Sequence, residues 1–183
     1  MDEGRRARTS ALRAALAIAL PCALALATGC AGGNVGQAPA PPPDRTGSLQ
    51  RDLDELAAGA APDEAQLLAE AAMAESARLA AEYRMAHPAL FNNVLINVGL
   101  KKRGLCWHWT EDLFAVLREL PLASYELHWG IAHRGRLFRE HNSLVVTARG
   151  GEFASGIVLD PWRESGALHW VAVSEDRYPW EPR

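Results

Sequence analysis

The chain changes character near residue 104, and that change limits its architecture more than any single motif. Before it, alanine dominates and apolar residues recur at helical spacing; after it lie all six tryptophans, from Trp107 to Trp180. The later part instead alternates apolar and polar residues between turn signals. A chain that segregates helices from strands in this way folds as α+β, with helices packed on an antiparallel sheet. Its 183 residues suit one domain with accessories, and 49% apolar against 22% charged residues is too hydrophobic for a wholly disordered chain.

Residues 1–29 read as an address rather than as part of that domain. Arg5, Arg6, Arg8 and Arg13 precede an Ala/Leu/Ile run from Ala14 to Ala27. The run falls short of the roughly 20 residues that span a bilayer as a helix. A basic head, a short apolar stretch and small residues form the secretory arrangement. Ala27-Thr28-Gly29-Cys30 resembles the bacterial lipobox, with Ala27 where Leu is usual. The resemblance implies cleavage before Cys30, loss of Cys22, acylation of Cys30 and a lipid-anchored place in the bacterial cell envelope. Cleavage would remove four Arg and two acids, leaving 15 basic against 20 acidic residues and a charge of −5 in place of −3.

Residues 30–61 then read as the lipidated cysteine and a Pro/Gly/Ala-rich tether, semi-extended and able to hold a domain off a membrane. Within it, Leu49, Leu53 and Leu56 have the spacing of a short helix over 49–60. The domain proper is expected over 62–183. A helix is predicted from Pro62 to Ala86, with Asp63 and Glu64 at its positive end and a break at His87-Pro88. A second is predicted from Pro88 to Val98 through Leu90, Val94 and Val98.

Cys106 follows the basic, glycine-containing loop Lys101-Lys102-Arg103-Gly104 and begins a helix that runs to Leu120 and stops at Pro121. Cys106, Trp109, Leu113, Val116, Leu117 and Leu120 share one stripe of it. The free N–H groups and partial positive charge of a helix start favour a thiolate, so the position suits a nucleophile as well as a buried structural cysteine.

The remainder reads as strands: Tyr125 to His133, a turn at Arg134-Gly135, Leu137 to Arg149, a turn at Gly150-Gly151, Glu152 to Asp160, and Leu168 to Val173. A two-residue turn at Gly150-Gly151 would make opposed positions sum to 301, setting His141 directly across from Asp160. Gly156 is a place where a bulge could shift that register. The first hairpin, treated alike, would set His128 across from His141.

Cys106, His141 and Asp160 together form a nucleophile–base–orienter set. Their surroundings, Gly104-Leu105-Cys106-Trp107, Glu140-His141-Asn142-Ser143 and Val158-Leu159-Asp160-Pro161-Trp162, resemble those of transglutaminase-like cysteine hydrolases of the papain-like superfamily. That resemblance covers about residues 95–165. It implies a papain-like core with Cys106 as nucleophile, His141 as base and Asp160 as orienter, with Asp160 in an Asp-Pro step at a strand end. For the oxyanion, the Cys106 backbone N–H is one donor; Asn97 is the side-chain candidate and Asn93 the other nearby amide.

Other chemistry has less support. His108, two residues beyond Cys106, points away from it on a helix and reads as a partly exposed helix residue. His128, His133 and His169 lack metal-ligand spacing, so neither a metal nor a cofactor is expected. Near-balanced charge argues against nucleic acid as a partner. Two function classes remain. One is an envelope-anchored cysteine hydrolase or acyltransferase acting on an amide, whether a peptide, an isopeptide or a cell-wall peptide, through a thioester. The other is a non-catalytic lipoprotein that uses the same fold for binding or assembly.

Overall fold

A computed structural model describes residues 45–183. The expected signal segment, Cys30 and the tether as far as residue 44 lie outside the described residues. Helices α1 (Arg45–Leu56), α2 (Pro62–Glu82), α3 (Ala89–Asn97) and α4 (Cys106–Leu117) come first. Strands β1 (Tyr125–Ala132), β2 (His141–Ala148), β3 (Ile157–Glu164), β4 (Ala167–Ala172) and β5 (Trp180–Pro182) follow. The strands make one antiparallel sheet in the order β4-β3-β2-β1-β5. Helix α4 lies against β2 and β3, and α2 packs on α1, α4 and β4. The segregation expected from composition is therefore the observed one.

The compact unit begins earlier than residue 62. Leu49 and Leu53 of α1 are fully buried in the main core with Leu68, Leu113, Leu117, Leu144 and Leu159. Polar contacts hold α1 in place as well: Tyr125 Oη donates to the Leu53 carbonyl at 3.0 Å and Trp170 Nε1 to Asp52 at 2.7 Å. What the Pro/Ala-rich composition assigned to a tether is, from Arg45 on, a core helix, because its leucine spacing meets a waiting apolar face.

Helix α2 stops at Glu82, before the expected break. Tyr83 caps it and Arg84 takes a positive φ of 49°. Its far end forms a second apolar cluster, Leu79, Ala80, Tyr83, Met85 and Ala89 around Trp109, which seats the start of α4.

Both predicted hairpin registers are displaced. Between β1 and β2, Ala132 faces His141 and His128 faces Val145. The eight residues 133–140 form a loop, not a two-residue turn, so His128 and His141 are not opposed. His128 instead bonds Thr147 at 2.9 Å. Between β2 and β3, Leu144 faces Leu159 and Val146 faces Ile157, a sum of 303 rather than 301. A 3-10 turn, Phe153–Ser155, occupies the stretch expected to open β3 and moves the register by two. A shift of two keeps every side chain on its face of the pleat, whereas a shift of one would have reversed it. Asp160 lies within β3, not at its end. Proline has no N–H for a ladder, and the pairing with β4 loses register between Asp160 and Glu164, right after Asp160.

Candidate active site

The start of α4 is built to place Cys106. Gly104 adopts φ +118° and Leu105 is extended, so the chain turns sharply into the helix. A side chain at residue 104 would put its Cβ 2.4 Å from Asn92 Nδ2 and 3.1 Å from the Met85 sulfur, so only glycine fits. Trp109 Nε1 donates to the Gly104 carbonyl at 3.2 Å, and Asn92 Nδ2 donates to it at 3.4 Å.

His108, expected to be partly exposed, is buried and caps the helix. The N–H groups of Gly104 and Leu105 donate to its Nδ1 at 3.3 and 3.1 Å. An accepting Nδ1 requires a neutral ring, and burial, helped by the Arg103 charge, holds its pKa below the ordinary value. The capping role usually filled by Glu at the third helical position is here filled by an imidazole. Spacing relative to Cys106 could not reveal it, because the partners are backbone groups before the cysteine. Arg103 then ties this loop to α4 through Asp112 at 2.7 Å and Glu111 at 3.1 Å, and Tyr83 donates to Asp112.

His141 opens β2 and is 3% exposed; Asp160, at 1%, lies beside it. Its Nε2 donates to Asp160 Oδ2 at 2.6 Å. Burial opposes protonation of the ring, but the charge of Asp160 and this hydrogen bond outweigh it. Smaller contributions of the same sign come from the Cys106 side chain, and the pKa is pushed up to about 9. With Nε2 taken, Nδ1 is the nitrogen left for the sulfur. Three aromatic rings enclose the imidazole, Trp162 and Tyr178 with centroids at 4.8 Å and Trp180 at 5.4 Å.

Asp160 has a second partner that the sequence reading missed. Arg163 Nε donates to Oδ2 and the Arg163 backbone N–H to Oδ1, both at 3.2 Å. The guanidinium also grips Asp176 at 2.7 Å and lies 4.9 Å from the Tyr178 ring centroid. Asp176 accepts from Trp180 Nε1 at 2.8 Å. His169 Nε2 accepts from Arg163 Nη1 at 3.0 Å, which leaves its Nδ1–H to donate to Glu164 at 3.1 Å. Burial raises the pKa of Asp160, but the charge and hydrogen bond of His141, followed by Arg163, hold it below the usual carboxylate value. Residues 173–183, which carry no periodic signal, thus supply Asp176, Tyr178 and Trp180.

Cys106, the only free cysteine among the described residues, is half-buried. It shares a cleft of roughly 290 Å³ with His141, Trp162 and Tyr178, with Asn93 and Leu90 of α3, and with His133, Phe138, Arg139 and Glu140 of the β1–β2 loop. Asn97 is not in that lining: it is exposed at the end of α3, one turn beyond Asn93. Asn93 Oδ1 accepts from Trp162 Nε1 at 3.1 Å. Indole is a donor only, so this bond leaves the amide NH2 of Asn93 available. Among the described residues, no group of three or more His, Cys, Asp or Glu side chains could hold a metal ion. The arrangement can therefore offer a nucleophile, a ring nitrogen to carry its proton and two kinds of hydrogen-bond donor around one opening. No family model, curated protein or solved structure matches the chain.

Proposed function

We infer that the protein is a cysteine hydrolase or acyltransferase acting on an amide, with a transglutaminase-like, papain-like core. The observation that carries this reading is the cleft itself, where Cys106 meets a buried imidazole already oriented by a carboxylate. In the reaction the Cys106 sulfur, its proton passed to His141 Nδ1, attacks the carbonyl carbon. The carbonyl oxygen becomes an oxyanion, and the N–H groups at the start of α4, which no helical carbonyl reaches, are its nearest backbone donors. The Asn93 amide takes the side-chain role for which Asn97 was the sequence candidate. His141 then returns the proton to the departing amine as the C–N bond breaks, leaving a thioester on Cys106. Water or an amine attacks that thioester, giving hydrolysis or acyl transfer.

Asp160 keeps Nε2–H engaged, so Nδ1 stays pointed at the sulfur throughout. His141 itself, followed by Arg163, holds Asp160 charged against its burial, and the Trp162, Tyr178 and Trp180 rings keep water from the pair. The lipobox-like Ala27-Thr28-Gly29-Cys30 adds the setting, a domain acylated at Cys30 on a membrane of the bacterial cell envelope, with a peptide or cell-wall amide as substrate.

The test is capture of Cys106 by a thiol alkylator at neutral pH. Wild type should label rapidly and at that residue, and His141→Ala should slow labelling by on the order of tenfold or more. Slow labelling that speeds up only on unfolding would mark Cys106 as a structural thiol and end the proposal. Cys30→Ser should release the protein from membrane fractions; unchanged association rejects acylation there.

A further inference from the structure

The cleft opens between two apolar banks. On one, α3 carries no charged residue and leaves Leu90, Phe91 and Val94 exposed, continued by Val98 and Leu100. On the other, the β1–β2 loop holds Leu137 and Phe138 at 80% and 90% exposure. Leu90 and Phe138 both line the cleft, so the banks form one rim rather than two unrelated patches. Contiguous apolar exposure of this kind marks an interaction surface.

The charge around the rim identifies its occupant. Residues 84–104 contain Arg84, Lys101, Lys102 and Arg103 and no acid; residues 133–140 contain Arg134, Arg136 and Arg139 against Glu140 alone. Along these two segments cations outnumber carboxylates seven to one, in a chain whose net charge is −3. Arg139 and Glu140 line the cleft itself, and Lys101 is taken up by the Arg84 carbonyl and Asn92 Oδ1. Some of that charge is neutralised, since Arg103 pairs with Glu111 and Asp112 and Arg134 with Glu181. Lys102, Arg136 and Arg139 are exposed. Arg136-Leu137-Phe138-Arg139 places two apolar side chains between two cations at the loop tip. A second copy of the chain is a poor fit, because a two-fold contact would press these like charges together. An anionic bilayer fits both features, with acyl chains for the apolar tips and headgroup phosphates for the cations.

We propose that this rim docks the domain on an anionic phospholipid surface, with Leu137 and Phe138 inserted and the cleft facing the headgroups. Fourteen residues separate Cys30 from Arg45, a contour of at most about 50 Å, so acylation at Cys30 would keep the start of α1 within about that distance of a bilayer. The docking stands apart from the cysteine chemistry; where that chemistry also holds, the substrate is one displayed at the membrane surface.

The experiment follows amide hydrogen exchange in the full chain with vesicles of phosphatidylcholine alone or mixed with phosphatidylglycerol. Docking slows exchange over 89–100 and 133–140 in the mixed vesicles by on the order of tenfold, and high salt relieves the slowing. Leu137→Ser with Phe138→Ser removes it while leaving the thermal melt unchanged, since both side chains are already in solvent. Three results overturn the proposal: equal exchange in both vesicle types, slowing that survives the double substitution, or slowing that grows with protein concentration when no vesicles are present. Alkylation of Cys106 is read separately, so failure of one proposal is distinguishable from failure of the other.

Discussion

His141 and Asp160 meet on a diagonal of the sheet, two positions off a direct rung, and their hydrogen bond is 2.6 Å long. The carboxylate that orients the ring is itself oriented, because Arg163 binds both of its oxygens. The imidazole is thereby kept protonated well above its ordinary range despite its burial, which works against the charge.

Asp160→Asn should reverse that balance. With the carboxylate charge gone and burial still in force, the His141 pKa falls from about 9 toward or below 6.5. An NMR titration of the imidazole reads the change directly. The wild-type ring also links stability to pH. Its raised value contributes stability in full below about pH 6.5, and that contribution is lost as pH rises through about 9. Denaturant midpoints should show this alkaline loss in wild type and not in Asp160→Asn; a variant ring still titrating near 9 refutes the assignment.

Arg163→Met removes the cation shared by Asp160 and Asp176 while keeping most of the side-chain volume. Leaving two carboxylates short of a partner should cost about 3 kcal/mol at neutral pH. Both carboxyls have folded values below their ordinary ones, so the stability they contribute is present above about pH 4 and is lost as pH falls through the folded values. The gap between wild type and variant should therefore close in acid. Urea denaturation across pH measures it, and a gap that persists unchanged in acid contradicts the ion-pair account.

Gly104→Ala tests the turn that sets Cys106. A positive φ at a residue bearing a Cβ costs on the order of 1–3 kcal/mol, before the clash with Asn92 is added. A fall in melting temperature of about 5 °C or more is expected. Labelling of Cys106 should slow as well, since the helix start must shift to make room. An unchanged melt would mean that the turn is far looser than its geometry implies.

Asn93→Ala and Asn97→Ala separate the two amides. If Asn93 stabilises the oxyanion, its loss should slow acylation of Cys106 by an activated ester about 100-fold, while Asn97→Ala leaves it within a factor of about two. Equal effects from both substitutions, or none from either, remove the Asn93 role.

The face shared by His141 and Asp160 survived an incorrect register for a definable reason. Gly150-Gly151 suggested a tight turn, and the actual connection adds the Phe153–Ser155 3-10 turn, moving the pairing by two residues. Strand side chains have a period of two, so the shift changed the partner and not the side. No such symmetry protected the first hairpin, where a loop of eight residues replaced a predicted turn of two and separated His128 from His141.

Local physics written along the chain was enough for the α+β division, the helix that starts at Cys106 and the candidate trio of thiol, imidazole and carboxylate. Propensity, periodicity and helix-end chemistry act over a few residues, and a few residues display them. The caging of His141 by Trp162, Tyr178 and Trp180, the Arg163 link between Asp160 and Asp176, the burial of α1 and the choice of Asn93 over Asn97 came only with the folded chain. Each joins groups remote in sequence or selects between equivalent neighbours, and such contacts are set by how the helices and the segment after β4 settle on the sheet, which no local pattern encodes.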